Sequence, residues 1–161
     1  MAVKRILVPI DFSTVSLNAL EYAIDFAKPF KAELVILFVI EPVYYAAPAD
    51  LYGPSGNVAL LMEEQQRLGR EEIARLSKQL HKRKVAHRAV IQTGSAHEAI
   101  ISAARRVKAD LIVMATHGRT GLSRMLIGST AERVVRTSPC PVLTLHKYRH
   151  HRAQRAHRKE A

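Results

Sequence analysis

At 161 residues, 48% apolar and 24% charged, the chain has the composition of one soluble globular domain around one core. No stretch approaches the roughly 18 uninterrupted apolar residues of a membrane helix, and Asp11 interrupts the N-terminal apolar run too early for a signal peptide. The single cysteine, Cys140, excludes an intrachain disulfide and fits a reducing compartment, so the expected location is the cytoplasm.

The formal charge of +11 is unevenly held. Residues 146–161 carry six Lys/Arg against one Glu, together with four of the eight histidines. Almost nothing apolar follows Tyr148, so residues 147–161 read as a basic, disordered tail appended to a domain over 1–146. Such a tail is a solvated appendage or a contact for an anionic partner, nucleic acid or lipid headgroups.

In chain order, Arg5–Ile10 reads as a buried strand, with Pro9 near its end where a missing ladder donor is tolerated. Ser13 or Ser16 caps the next helix, whose stripe is Leu17, Leu20, Ile24 and Ala27. Glu33–Ile40 is a continuous apolar run, as in a strand covered on both faces. From Glu41 to Asn57 the regular pattern breaks: Pro42, Pro48, Gly53, Pro54 and Gly56 punctuate a loop bearing Tyr44, Tyr45 and Tyr52, read equally as a closing element or as disorder. A long helix over roughly Val58–Lys84 follows, with Leu61, Leu68, Ile73, Leu76 and Leu80 on one side and Gly69 as its weak point.

Ala86–Gln92 is a third strand. Ser95 to Glu98 form a capping box that opens a helix through Ile100, Ile101 and Ala104. Asp110–Ala115 is a fourth strand, and a loop from Thr116 to Gly128 leads to a second capping box, Ser129 to Glu132. Pro141–Leu145 closes the series. Strands alternating with helices in this way predict a parallel α/β sheet with right-handed crossovers and helices on both faces.

In open parallel sheets ligands sit beyond the C-terminal strand ends, where strand order reverses. That rule selects Pro9, Ile10 and Asp11 after the first strand, Val39 to Glu41 after the second, and Ala115 to Gly121 after the fourth. Gly128, Ser129 and Thr130, at a helix start, have the character of a phosphate cradle. No G-x-x-x-x-G-K-[ST] is present, and no G-x-G-x-x-G follows the first strand, which excludes the P-loop and the usual dinucleotide fingerprint. Gly118–Gly121 matches a KH-type G-x-x-G, but beside an apolar strand it stands in the wrong context. A phosphoacceptor domain would need an acidic cluster after strand one, where Asp11 stands alone.

Two segments, Pro9-x-Asp11-Phe12-Ser13 and Ala115-Thr116-His117-Gly118-Arg119-Thr120-Gly121-Leu122-Ser123-Arg124-Met125-Leu126-Ile127-Gly128-Ser129, resemble the universal stress proteins, as does Pro139-Cys140-Pro141-Val142-Leu143. The resemblance spans most of residues 3–146. It implies a three-layer, Rossmann-like fold of the adenine nucleotide α-hydrolase type, with five parallel strands in the order 3-2-1-4-5. Nucleotide-binding members carry G-x2-G-x9-G-[ST]; here Gly118, Gly128 and Ser129 match and Ala115 replaces the first glycine. The resemblance therefore implies binding of ATP or another adenine nucleotide, with Mg²⁺ bridging phosphates and Asp11 a candidate to help hold it.

By the same resemblance, Pro9, Ile10 and Asp11 flank the adenosine and Val39 meets adenine through its backbone. Ala115, Thr116, His117, Gly118, Arg119 and Gly121 pass near ribose and phosphates, and Gly128, Ser129 and Thr130 donate to phosphate oxygens. Val142, Leu143, Thr144 and Leu145 form the homodimer edge.

Simpler readings stand beside these. Asp11 also suits a helix cap, Ser129 a capping box, His117 loop packing, Arg119 and Arg124 solvated surface, and Cys140 a buried inert thiol. Thr120 and Ser123 are candidate phosphorylation sites. The function expected is a dimeric stress-response sensor or switch. The alternatives are a slow ATPase or autokinase in the same site, and a nucleotide-free member acting through dimerisation and the tail.

Overall fold

The computed structural model describes residues 2–41, 56–116 and 128–146, with only the backbone described for residues 56–59 and 61. Its elements, in chain order, are β1 (Arg5–Ile10), α1 (Thr14–Phe30), β2 (Glu33–Ile40), α2 (Gly56–Lys82), β3 (His87–Thr93), α3 (Ala96–Val107), β4 (Leu111–Ala115), α4 (Ser129–Thr137) and β5 (Val142–Leu145). The five strands form one parallel sheet in the order β3-β2-β1-β4-β5.

The apolar strands divide their side chains between two cores by parity, because successive residues point to opposite faces. Ile6, Val8 and Ile10 of β1, with Leu34 and Ile36 of β2 and Val113 of β4, pack beneath Leu20, Ala23 and Ile24 of α1 and Ile73 and Leu80 of α2. Leu7, Val35, Leu37, Ile112 and Met114 turn the other way, against Ile100, Ala103, Ala104 and Val107 of α3 and Ala131 and Val134 of α4. Three layers result, with both faces of the sheet covered.

The N-terminal edge is fastened by one side chain. Asp110 Oδ2 accepts from the amides of Lys4 (2.8 Å) and Arg5 (2.9 Å), and the Asp110 amide donates to the Arg5 carbonyl at 2.9 Å. Those two backbone donors are the main reason the Asp110 carboxyl sits below its ordinary value. Helices α1 and α3 end at Lys31 and Lys108, both left-handed with φ 52, a conformation usually given to glycine.

Several local expectations are corrected. Of the two expected caps Ser13 is the one used at α1, its side chain accepting from the Ser16 amide, while Ser16 itself lies buried in the helix. Leu17 is only half-buried; Ala19, Leu20, Ala23, Ile24 and Ala27 make the inner stripe. Neither capping box forms. Ser95 Oγ lies 2.9 Å from His97 Nδ1, and the α3 amide of Ala96 donates instead to Glu41 Oε1 at 2.8 Å. At α4 the cap residue is Gly128, without a side-chain bond, Ser129 is the first helical residue, and Glu132 faces Arg136 at 3.5 Å.

On α2, Leu68 is 47% exposed while Gly69 beside it is buried. A Cβ at Gly69 would stand 2.5 Å from Phe38 Cε1. The glycine that weakens the helix locally is therefore the point where α2 can lie on the β2 ring.

Candidate functional site

The strand order reverses between β1 and β4, and a cavity of about 650 Å³ opens there. Registered pairing between β1 and β4 stops at Leu7↔Ile112, whereas β1 stays paired to β2 as far as Ile10↔Phe38. The two strands therefore leave room between their C-terminal ends. Pro9, Ile10 and Asp11 form one wall, Val39 and Glu41 a second, Ala115 and Thr116 a third, and Gly128, Ser129 and Thr130 the last. Every candidate nucleotide-binding residue that falls within the described part of the chain thus lines one cavity, while the dimer-edge candidates Val142 to Leu145 lie in β5 outside it. His117, Gly118, Arg119 and Gly121 lie outside the described residues, as do Thr120, Ser123, Arg124, Tyr44, Tyr45 and Tyr52.

Asp11 is held by a compact hydroxyl network. Its Oδ1 accepts from the Ser13 amide at 3.0 Å and the Ser13 hydroxyl at 2.6 Å, and its own amide donates to Ser16 Oγ at 3.3 Å. Since Ser13 caps α1, Asp11 orients the cap rather than being it. Phe12, between them, has φ 62, a left-handed conformation costing roughly 1–2 kcal/mol for a residue with a Cβ. The Asp11–Ser13 bonds and the Phe12–Phe38 ring contact, with centroids 5.1 Å apart, hold that turn.

Thr116 joins three segments. It is buried, its amide donates to the Leu145 carbonyl at 3.0 Å, and its Oγ1 lies 3.1 Å from His146 Nδ1. Its carbonyl accepts from the Gly128 amide at 2.8 Å. The Gly128 N–H is therefore engaged, and the expectation that it donates to a ligand is corrected. The amides that remain without an intrahelical acceptor are those of Ser129, Thr130 and Ala131, in the first turn of α4.

Ala115 belongs to β4, paired with Leu145, and is absent from the positive-φ residues of the described chain, so the backbone there accommodates a methyl group. Gly128 is likewise extended, with φ −57 and ψ 147. Gly128 is therefore not required for a left-handed turn.

Sequence reasoning passed over Phe12, Phe38, Gly69, Glu72 and Ala131, which also line the cavity. Phe12 stood inside a quoted motif; Gly69 and Glu72 are brought there by the packing of α2 on β2 and leave no local signal. Among the described residues no group of three or more His, Cys, Asp or Glu side chains is arranged to hold a metal, and no helix is long and apolar enough to cross a membrane. Cys140 is half-buried, and burial pushes its thiol up, partly offset by Ser138.

A family model described as the universal stress protein family matches residues 2–146. Universal stress protein MJ0531 of Methanocaldococcus jannaschii is 37% identical over 145 residues, covering 89% of this chain and 82% of that protein. Among solved structures, universal stress protein UspA from Lactobacillus plantarum superimposes with a TM-score of 0.78 at 24% identity, covering 90% of this chain and 99% of the other. A universal stress protein family protein from Arabidopsis thaliana with AMP bound does so with a TM-score of 0.63 at 20% identity, covering 90% and 92%. At those identities the two structures establish a shared fold.

Proposed function

Since the chain belongs to the universal stress protein family, we propose that it binds an adenine nucleotide in the cavity between β1 and β4 and acts as a dimeric stress-response sensor or switch in the cytoplasm. One observation carries the reading. The uncapped N-terminus of α4 opens on the cavity, with the Ser129, Thr130 and Ala131 amides lacking intrahelical acceptors, so a partial positive charge and several donors are available to an anion. The AMP-bound Arabidopsis structure supports a nucleotide as that anion.

In this reading Pro9, Ile10 and Val39 flank the base and sugar, and Asp11 accepts from a ribose hydroxyl. Ala115 and Thr116 form the sugar–phosphate wall, with His117, Gly118, Arg119 and Gly121 contributing beyond Thr116. Ser129 and Thr130 receive the phosphates. With no cluster of three or more metal-ligating side chains among the described residues, the site fits Mg²⁺ as a nucleotide-borne ion that Asp11 would help hold. The ion would neutralise phosphate charge.

Among the described residues, β5 lies at the sheet edge with β4 on one side, leaving its other edge for a second copy to cover. Nucleotide occupancy would then reach the dimer edge through Thr116, which is bonded to both the α4 start and the end of β5. The basic 147–161 segment is assigned to weak contact with anionic surfaces. Titration calorimetry with ATP and AMP, paired with mass analysis of ligand released from the purified protein, tests the binding. No heat at millimolar nucleotide and no released adenylate would refute it.

A further inference from the structure

The described cavity wall carries three carboxylates, Asp11, Glu41 and Glu72, and no lysine, arginine or histidine. Their surroundings differ. Glu72 is ion-paired with Arg75, and Asp11 is bonded to Ser13. Glu41 Oε1 accepts from the neutral Ala96 amide at 2.8 Å, and among the described residues no cation is paired with it.

Two helix N-termini open on the cavity, α3 at Ala96 and α4 at Ser129 to Ala131. Each carries roughly half a positive charge. At α3 the full negative charge of Glu41 more than cancels that half-charge, whereas α4 has no side-chain cap. An anionic ligand therefore meets attraction at one end of the cavity and repulsion from the exit of β2. The repulsion grows with every charge the ligand brings.

We propose that Glu41 is a specificity-determining residue that selects adenine nucleotides by net charge, favouring a monophosphate or a metal-neutralised polyphosphate over free ATP. The proposal rests on the nucleotide reading above. A purely structural role for Glu41, as the cap of α3, predicts no such discrimination. Glu41→Gln separates the two, because the amide oxygen still accepts from Ala96 while the charge is lost.

The test measures dissociation constants for adenosine, AMP and ATP by calorimetry, in EDTA and in excess Mg²⁺, for the wild-type chain and E41Q. Across a cavity of this width, one unit charge acting on a triphosphate corresponds to about a three- to tenfold change in affinity. E41Q is expected to tighten free ATP by that factor, Mg-ATP by less, and adenosine by under about twofold. An unchanged or weaker affinity for free ATP, or adenosine shifting in parallel, overturns the proposal. Should E41Q fail to fold, the wild-type chain alone decides: Mg-ATP must bind at least about threefold tighter than free ATP, and a ratio near one refutes the charge filter. If the wild-type chain binds none of these ligands, the nucleotide reading itself has failed, whereas binding with a flat response to E41Q removes only the role of Glu41.

Discussion

Replacing Gly69 by alanine sets two terms of opposite sign against each other. In an exposed helix interior the change stabilises by about 1 kcal/mol, because glycine has more backbone entropy to lose. Here the new Cβ would meet Phe38 Cε1 at 2.5 Å, Cδ1 at 3.1 Å and Cζ at 3.5 Å. Moving the ring would disturb its contact with Phe12, whose ring centroid lies 5.1 Å away and whose backbone already occupies a left-handed turn. Overpacking of this kind costs about 1–3 kcal/mol. Gly69→Ala should therefore destabilise the chain by about 1 kcal/mol net, read as a lower urea midpoint with unchanged slope. In a Phe38→Ala background the obstacle is gone, and the same substitution should stabilise by about 1 kcal/mol. The reversal of sign across that double-mutant cycle is the diagnostic result. If G69A stabilises the otherwise wild-type chain, α2 does not rest on Phe38 and the contact has been misjudged.

Ser129→Pro removes one amide donor at the first position of α4, where proline suits the helix and the preceding Gly128 is already extended. Its melting temperature should hold while nucleotide affinity falls about tenfold, the loss of one charge-assisted bond; equal affinity would exclude that amide from phosphate binding. The Asp110 carboxyl lies below its unfolded value, so its stabilisation is complete above about pH 4 and is lost as pH falls through the folded value. Acid unfolding of Asp110→Asn should accordingly be less steep than that of the wild-type chain in this range, and parallel curves would refute the assignment. Lys108→Gly, at φ 52, should raise stability by about 0.5–1 kcal/mol in denaturant melts, because only glycine enters that region without strain.

The strands were readable because burial on both faces leaves an uninterrupted apolar run, and β2 falls on Glu33–Ile40 as expected. The walls of the cavity were readable for a related reason: parallel strands must all end on one side, so the residues after β1, β2 and β4 converge whatever their identity. Helix caps were not readable. Ser95 and Ser129 satisfy the local pattern, yet Glu41 reaches Ala96 from 55 residues away and Gly128 takes the cap position at α4. A distant carboxylate leaves no trace in a four-residue window. The same is true of α2, whose lean onto Phe38 turns Leu68 outward and Gly69 inward, against the reading of its apolar stripe.

The hydrogen bond from the Gly128 amide to the Thr116 carbonyl has a consequence for how this chain can change. It fixes Thr116 and Gly128, which flank segment 117–127, to each other through the scaffold. Closure entropy rises only slowly with length, by about 0.6 kcal/mol per doubling, so insertions between these two anchors tax the sheet very little. The chain between these two anchors is thus open to exchange or extension by selection or by an engineer. Under the proposed nucleotide reading, ligand preference would drift there while the sheet that holds both anchors stays where it is.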